Sequence, residues 1–184
     1  MKISHMMNAK RFYVKYFNGF SLEKEETFFT EYMTTDVTAI VGFSYGAQKA
    51  FEYVYTSKER IDTLILLSPA FFQTEKTSFI RSQLRYFEAG REAYVKQFLL
   101  NVTYPSTIDL SPHVKVGEKK ELEALLTYTW DRSKIQAVLD RGTTIEVFLG
   151  KEDKIIDSAK ALEFFSLTTT YFIKNAGHLL QGKL

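Results

Sequence analysis

Positions 41–47 of the chain read VGFSYGA, a G-x-S-x-G pattern with Ser44 at its centre. An apolar run over 37–41 precedes the pattern, and a helical pattern follows it over 47–55. A strand, a tight turn and a helix in this order form the setting in which the turn pushes a serine hydroxyl out above a sheet. The flanking glycines let the strand and helix backbones approach each other. The stretch therefore predicts a nucleophilic serine; the alternative is a tight glycine turn that carries an ordinary serine.

Composition indicates a globular protein with one domain. The chain has 184 residues, 45% of them apolar, and includes 16 Phe and 11 Tyr. This length supports a single core with room for a small inserted lid. The net charge is +2, with basic and acidic side chains interspersed, so no overall field favours nucleic acid as a partner.

The chain contains no cysteine, which excludes disulfides and thiol catalysis. It has no apolar run near 18 residues and no signal-peptide pattern at its start. We therefore expect a cytoplasmic protein with no membrane partner. Residues 1–5 differ from the rest of the chain, and methionines follow at Met6 and Met7. We interpret residues 1–5 as a remnant of cloning.

Strand and helix patterns alternate along most of the chain. Strands are predicted over 11–17, 37–41, 61–67, 143–149 and 169–174. Helices are predicted after residue 21, over 47–55 and over 158–165, and helical periods alone occupy 75–88, 90–102, 117–130 and 131–141.

Strands that alternate with helices predict a parallel sheet with helices on both faces. An all-helical insertion between two strands predicts a lid above the carboxyl ends of the strands, where ligands bind. We accordingly divide the chain into a first core part at 1–69, a helical lid at 70–141 and a second core part at 142–184.

The residues after the first strand predict the start of a helix. Ser21 is a favourable N-cap residue. Glu23, Glu25 and Glu26 would then lie in the first turns, where the helix dipole favours acidic side chains. We therefore expect Ser21 to cap this helix.

A serine hydroxyl near neutral pH needs a base within hydrogen-bond reach, an acid that orients the base, and N–H donors for the oxyanion. The chain has three histidines. His5 lies within residues 1–5, which we interpret as a remnant of cloning. His113 lies in a loop of the helical insertion, where we expect a solvated side chain. His178 follows the last strand directly, after Gly177. It is the base that we predict.

Asp153 is the predicted acid, because it follows the strand over 143–149 after a glycine turn. From there a carboxylate can reach a histidine on the next loop. Asp157 is a rival, but it immediately precedes a helix and has a sufficient structural role as an N-cap. Glu152 is a third and weaker candidate.

The chain order Ser44, Asp153, His178 is that of the α/β-hydrolase triad. For the oxyanion, the predicted donors are the backbone N–H groups of Tyr45, directly after the serine, and of Phe20. The alternative for the Asn-Gly pair at 18–19 is a plain turn into the following helix.

At these positions the chain resembles the α/β-hydrolase family, over essentially its whole length from Arg11. The segment FNGF at 17–20 resembles the oxyanion loop of that family, GFSYG at 42–46 its nucleophile elbow, GKEDKII at 150–156 its acid loop and NAGH at 175–178 its base loop. The resemblance implies a truncated α/β-hydrolase fold, with about five parallel strands, flanking helices and an all-helical lid inserted between two strands. More narrowly, FNGFS at 17–21 and GFSYGAQKA at 42–50 resemble the short pimeloyl-acyl-carrier-protein methyl ester esterases of biotin synthesis (the BioV type).

The chain also departs from the family pattern. Asn18 stands where many relatives have histidine, and too few residues separate it from Ser44 for the family's extra strand and helix. All of the missing strands belong to one side of the family's sheet, so we expect one trimmed edge and five intact strands. Six residues follow His178, too few for the usual closing helix, which leaves the support of the base loop open.

The predicted lid is rich in aromatic side chains. It holds ten of them, and most must pack the lid itself. Some, Phe79 and Tyr86 among them, are expected to line an apolar acyl tunnel above Ser44, because ligand pockets are mostly apolar with a few polar groups.

Basic side chains are also concentrated in the lid. Between residues 76 and 100, five basic side chains stand against two acidic ones. An acidic carrier protein would dock on such a surface through Arg81, Arg85 and Arg91. The alternative is a solvated helix face.

The first functional hypothesis is a serine carboxylesterase that hydrolyses the methyl ester of pimeloyl-acyl carrier protein in biotin biosynthesis, with no cofactor and no metal. The second is a general short-chain carboxylesterase or acyl-thioesterase of the same fold. The third is a non-catalytic binding module. The acyl chain length, the preference for ester or thioester and the oligomeric state stay open at this point.

Overall fold

Five strands form one sheet in which every neighbouring pair is parallel, and their order in the sheet is their order along the chain. The computed structural model describes residues 14–33 and 38–183. The strands are β1 (Val14–Phe17), β2 (Ala39–Phe43), β3 (Thr63–Leu67), β4 (Thr144–Gly150) and β5 (Thr169–Ile173). The prediction of a parallel sheet of about five strands is confirmed.

Helices connect the strands. The crossover helices are α1 (Tyr45–Thr56), between β2 and β3, and α6 (Ser158–Phe164), between β4 and β5. Four more stand between β3 and β4: α2 (Thr77–Ala89), α3 (Arg91–Thr103), α4 (Lys119–Thr127) and α5 (Arg132–Asp140). Two 3-10 helices span Glu25–Tyr32 and Ser111–His113. The predicted first residues of two strands, at 11–13 and at 37, lie outside the described residues, as do residues 1–5.

The central strands hold the core. All five residues of β2 are buried, and so are the last four of β3. The sequences of these strands are continuous apolar runs, because helices cover both faces of a parallel sheet and bury the side chains on each face. By contrast, β1 and β5 form the two edges of the described sheet and are only partly buried. β1 pairs with β2 alone, which agrees with the expected trimmed edge.

The turn between β2 and α1 is packed backbone against backbone. A Cβ atom added to Gly46 would overlap the carbonyl oxygen of Phe17, at the end of β1, and would lie 2.6 Å from the carbonyl oxygen of Asn18. A Cβ atom added to Gly42 would overlap the carbonyl oxygen of Gly46. Both glycines of the G-x-S-x-G pattern are therefore required by close approach. This approach lets α1 pack against β1, β2 and β3.

The prediction that Ser21 caps a helix is wrong. The helix that follows is a 3-10 helix that begins at Glu25, and its N-cap residue is Lys24, with a φ of 58°. Ser21 instead accepts a hydrogen bond at its Oγ from the Gly117 amide, at 3.0 Å. Leu22 forms an isolated antiparallel bridge with Val114, which directs the chain toward the insertion before the helix can start.

The helices of the insertion between β3 and β4 pack against one another and against the core. α2 packs against α3 and α4, and α5 packs against α1. Glu52 on α1 accepts a hydrogen bond from the Tyr128 hydroxyl at 2.7 Å and pairs with Lys134 on α5 at 3.0 Å. The division of the chain at residues 70 and 141 stays a prediction. Within 14–33 and 38–183, no helix is long and apolar enough to cross a membrane.

Gly46→Ala is expected to lower the free energy of unfolding by about 3 kcal/mol, because the added methyl group forces the end of β1 away from α1. Gly90→Ala is the matched control. A Cβ atom there would meet only Ala93 Cβ at 3.8 Å, an ordinary contact. It should leave the free energy of unfolding unchanged or raise it by up to about 1 kcal/mol. Urea unfolding of both variants measures the difference; equal midpoints would contradict the packing argument.

Candidate active site

Ser44 occupies the strained turn between β2 and α1. Its φ of 54° and ψ of −113° lie outside the regions that residues with a side chain normally adopt. Hydrogen bonds hold this conformation: the Ser44 amide donates to the Leu67 carbonyl at 2.9 Å, and the Ser44 carbonyl accepts from the amides of Ala47 and Ala70, each at 3.1 Å. The turn therefore fixes the serine side chain at the carboxyl edge of the sheet. Ser44 is 4% exposed.

His178 stands between Ser44 and Asp153. Its Nε2 lies 2.9 Å from Ser44 Oγ, and its Nδ1 lies 2.7 Å from Asp153 Oδ2. The side chains of His178 and Asp153 are both 0% exposed. A carboxylate beside Nδ1 favours the tautomer with the proton on that nitrogen, which leaves Nε2 able to accept the serine proton. The structure brings together the three residues that the sequence predicted.

The carboxylate of Asp153 is oriented by its own loop. Its Oδ1 accepts hydrogen bonds from the amides of Ile155 at 2.7 Å and Ile156 at 3.1 Å, which leaves Oδ2 for the histidine. Asp157 has the alternative role that was predicted for it. It caps α6 by accepting a hydrogen bond from the Lys160 amide at 3.1 Å, and this bond lowers the pKa of its carboxyl.

Glu152, the third candidate acid, enters the site only through its backbone. Its amide donates to the Ala176 carbonyl at 2.9 Å, and this bond joins the acid loop to the base loop. The hydrogen bonds of the described residues include none between the Glu152 side chain and His178.

The base loop is supported by segments that precede it in the chain. The Leu179 amide donates to the Val102 carbonyl near the end of α3, at 3.1 Å. Tyr32 donates its hydroxyl to the Leu180 carbonyl at 3.2 Å, and the side-chain amide of Gln181 donates to the Phe28 carbonyl at 3.0 Å. These contacts support the base loop, although only six residues follow His178 in the chain.

His113 differs from the solvated side chain that we expected. It is half-buried, its Nδ1 lies 3.1 Å from the Glu23 carbonyl oxygen, and its ring packs edge-on against Phe28 at 5.0 Å. His113 therefore joins the insertion to the segment before the first 3-10 helix.

The two predicted oxyanion donors lie on adjacent segments. Tyr45 is the first residue of α1, where a helix leaves its N–H groups without an internal acceptor. The loop that carries Phe20 begins at Phe17 and Asn18, whose carbonyl groups pack against Gly46. Gly46 directly follows Tyr45 in the chain, so the two donors lie on segments that touch. Among the described residues, the backbone amides of Phe20 and Tyr45 form no hydrogen bond.

The sheet order and the strained serine turn now decide the architecture. The chain has the α/β-hydrolase fold. The solved structures similar to it include naproxen esterase (carboxylesterase NP) from Bacillus subtilis, with a TM-score of 0.63, 14% identity and coverage of 94% of this chain and 79% of that one. Carboxylesterase CesB from Bacillus subtilis has a TM-score of 0.60, 13% identity and coverage of 94% and 79%. MenH from S. aureus has a TM-score of 0.55, 15% identity and coverage of 93% and 87%.

Identities this low are evidence for the fold alone. No protein-family model matches the chain. A search of curated proteins finds no significant match. The narrower resemblance to the pimeloyl-acyl-carrier-protein methyl ester esterases therefore stays a prediction.

Glu25 is a buried group whose position the sequence did not indicate. We expected it in the first turns of a helix, where the helix dipole favours acidic side chains, and it is 0% exposed. Its Oε1 accepts hydrogen bonds from the Gly19 amide at 2.7 Å and from the Tyr16 hydroxyl at 3.2 Å. Burial raises the pKa of the Glu25 carboxyl, while the Gly19 amide, its own amide and the Tyr16 hydroxyl act in the opposite direction.

A cavity of about 670 Å³ lies among α2, α3, α4 and the acid loop. Its walls are largely apolar and include both predicted residues, Phe79 and Tyr86. Lys154 and Ile155 close it on the side of the acid loop. Its lining includes neither Ser44 nor His178. Two wall residues connect it to the site: the ring of Phe98 packs edge-on against Phe20 at 5.8 Å, and the amide of Ile155 donates to Asp153.

The three predicted arginines lie on the exposed surface of α2 and α3. Arg85 lies over the ring of Tyr86 at 5.4 Å, and Arg91 lies over the ring of Phe87 at 5.6 Å. Within the described part of the chain, Arg81, Arg85 and Arg91 form no ion pair with a carboxylate.

Metal ligation is a separate question at such a site. No group of three or more His, Cys, Asp or Glu side chains within the described ranges could hold a metal ion. The hydrogen-bond partners of the His178 ring among the described residues are the serine and the aspartate described above.

Asp153→Asn should slow labelling of Ser44 by a fluorophosphonate on the order of 10⁴-fold, because an amide neither holds the required tautomer nor stabilises the imidazolium. Asp157→Ala should leave the labelling rate unchanged. It should instead cost about 1 kcal/mol of unfolding free energy as a lost helix cap. Labelling kinetics and thermal unfolding of both variants separate the two effects. The opposite pattern would identify Asp157 as the partner of the histidine.

Proposed function

We propose that the protein is a serine carboxylesterase with Ser44 as nucleophile, His178 as general base and Asp153 as the residue that orients the base. The observation that supports this function best is the continuous contact from serine through histidine to aspartate, at 2.9 and 2.7 Å. A binding module gains nothing from a buried carboxylate and imidazole aligned on a strained serine.

The acylation step follows from these contacts. His178 Nε2 takes the hydroxyl proton as Ser44 Oγ attacks the ester carbonyl, and Asp153 stabilises the imidazolium that forms. The amides of Phe20 and Tyr45 donate to the oxygen on which negative charge develops. His178 then returns the proton to the leaving alcohol. Water attacks the acyl group on Ser44 by the same sequence of proton transfers and releases the carboxylic acid.

Ser44→Ala should abolish ester hydrolysis without unfolding the protein, because only the binding and oxyanion contributions remain. Hydrolysis of p-nitrophenyl butyrate and circular dichroism of the variant measure the two properties. A rate within tenfold of the wild-type rate would remove Ser44 from the mechanism. Failure of the wild-type protein to react with a fluorophosphonate while folded would favour a binding module.

For the substrate, we propose the methyl ester of pimeloyl-acyl carrier protein. Three features support it: the likeness of 17–21 and 42–50 to esterases of that type, an apolar cavity suited to an acyl chain, and exposed arginines suited to an acidic carrier. Because Ser44 is almost fully buried, the acyl chain reaches it only when side chains between the cavity and the serine move. A carrier-bound substrate also implies a cytoplasmic location.

A general carboxylesterase is the second candidate. Naproxen esterase and carboxylesterase CesB share this fold over 94% of the chain, which favours ester substrates that are not attached to a carrier. An acyl-thioesterase would use the same residues with a thiol as leaving group. Turnover of free methyl esters, carrier-bound methyl esters and acyl thioesters by the purified protein ranks the three.

Reversal of Arg81, Arg85 and Arg91 to Glu should weaken turnover of the carrier-bound ester and leave small esters unaffected. A substrate that is guided by complementary charge loses encounter rate when the surface changes sign. The wild-type preference for the carrier-bound ester should also shrink as salt rises, since exposed charges are screened beyond roughly 10 Å at 0.1 M. Measurement of kcat/KM for both substrates across a salt series tests this.

A matched single-charge comparison is Arg81→Glu against Lys58→Glu. Lys58 is exposed and follows α1 at the opposite edge of the sheet. Only Arg81→Glu should affect the carrier-bound ester. Equal losses on both substrates would indicate a damaged cavity, and no loss on either would identify the arginines as a solvated face.

A further inference from the structure

Glu25 is buried, and among the residues that the structure describes it has no cationic partner. The ion pairs of the described residues do not include it, and its Oε2 atom is buried with no hydrogen-bond partner among them. A carboxylate in this position is unfavourable for stability unless its hydrogen bonds compensate for the lost hydration. The mechanism above does not use this group, so its presence calls for another explanation.

The two peptide groups around Gly19 are fixed by different partners. Glu25 accepts from the Gly19 amide at 2.7 Å, and the Leu22 amide donates to the Gly19 carbonyl at 3.4 Å. The Gly19 carbonyl and the Phe20 amide belong to one planar peptide unit and point in opposite directions. The contact at the Gly19 carbonyl therefore fixes the direction of the Phe20 N–H directly, whereas Glu25 fixes the preceding peptide unit, which the φ and ψ bonds of Gly19 separate from the Phe20 N–H.

Glycine has few steric restraints of its own, so this loop needs external ones. On one side, the ring of Phe43 lies 2.8 Å from the position that a Gly19 Cβ would occupy. Beyond the loop, the ring of Phe20 packs against Phe87 and Phe98 of the insertion. These apolar contacts set where the loop lies. The short hydrogen bond to Glu25 is directional, and it sets how the peptide unit between Asn18 and Gly19 is rotated.

We propose that Glu25 is a positioning residue for the oxyanion-binding loop: its carboxylate anchors the Gly19 amide at the start of the loop, so that the next peptide unit, held at the Gly19 carbonyl by Leu22, presents the Phe20 N–H to the ester oxygen. This inference rests on the proposed esterase function for its consequence, but not for the contact itself. Among the described residues, Glu25 forms no hydrogen bond with Ser44 or His178, so its effect on the site passes through the backbone of the loop.

The kinetic test compares Glu25→Ala with Glu25→Gln on p-nitrophenyl butyrate. Removal of one oxyanion donor lowers kcat on the order of 100-fold, so Glu25→Ala should lose about that much with KM within about threefold. Glu25→Gln keeps an acceptor oxygen at the same position and should restore kcat to within about tenfold of wild type. Affinity for a boronic acid, which forms a tetrahedral anion on the serine, should fall in parallel with kcat.

Tyr16→Phe is the matched control. It removes the other hydrogen bond to Glu25 Oε1 and leaves the Gly19 contact in place. It should lower thermal stability with little effect on kcat. Equal losses of kcat in Tyr16→Phe and Glu25→Ala, or no recovery in Glu25→Gln, would make Glu25 a purely structural residue. Should Glu25→Ala not fold, Glu25→Met fills the space without an acceptor and carries the same expectation.

A second readout needs no turnover. In wild type the Gly19 amide should be protected from hydrogen exchange and shifted downfield in its proton NMR signal. Glu25→Ala should speed its exchange at least tenfold, and Glu25→Gln should not. Unchanged exchange in Glu25→Ala would overturn the positioning role. If wild type hydrolysed no ester at all, the proposed function would fail, while this measurement would still decide whether Glu25 holds the loop.

Discussion

Backbone contact at the serine turn is the constraint on which the rest of the structure depends. The carbonyl groups of Phe17 and Asn18 lie where any side chain at position 46 would have to be. This contact sets the distance between β1 and α1, and the loop after β1 begins at the same point. Because the serine turn and the loop share the contact, the amides of Phe20 and Tyr45 come from segments that cannot move apart independently. A change in either backbone would alter the candidate site before it altered the core.

The features that the sequence predicted correctly are those that depend on short stretches. Central strands with continuous apolar runs, such as 63–67, were recognisable because both faces of a parallel sheet are covered. The contact of His178 with Ser44 and Asp153 could be predicted because each of the three stands a few residues from a glycine and from the end of a strand, while their catalytic roles stay a prediction. In this fold the carboxyl ends of parallel strands meet at one edge, so residues far apart in the chain become neighbours without further information.

The features that sequence missed depend on contacts between distant segments. Ser21 has the chemistry of an N-cap, but the bridge between Leu22 and Val114 fixes the backbone around it, and its hydroxyl bonds to Gly117 instead. Glu25 looked like an ordinary residue of a first helical turn because nothing local shows that the loop at 19 passes over it. His113 looked solvated for the same reason, since its partners lie about 90 residues earlier in the chain.

The support of the base loop has a consequence for how such a protein can diversify. In a modular enzyme, the helices above the sheet act as a cassette that can be exchanged to change the substrate. Here the residue after His178 is bonded to Val102, inside the inserted segment itself. Exchange of the whole insertion would remove the anchor of the histidine together with the cavity walls. For the proposed esterase, new specificities are therefore accessible by point substitution within α2, α3 and α4, with the end of α3 retained.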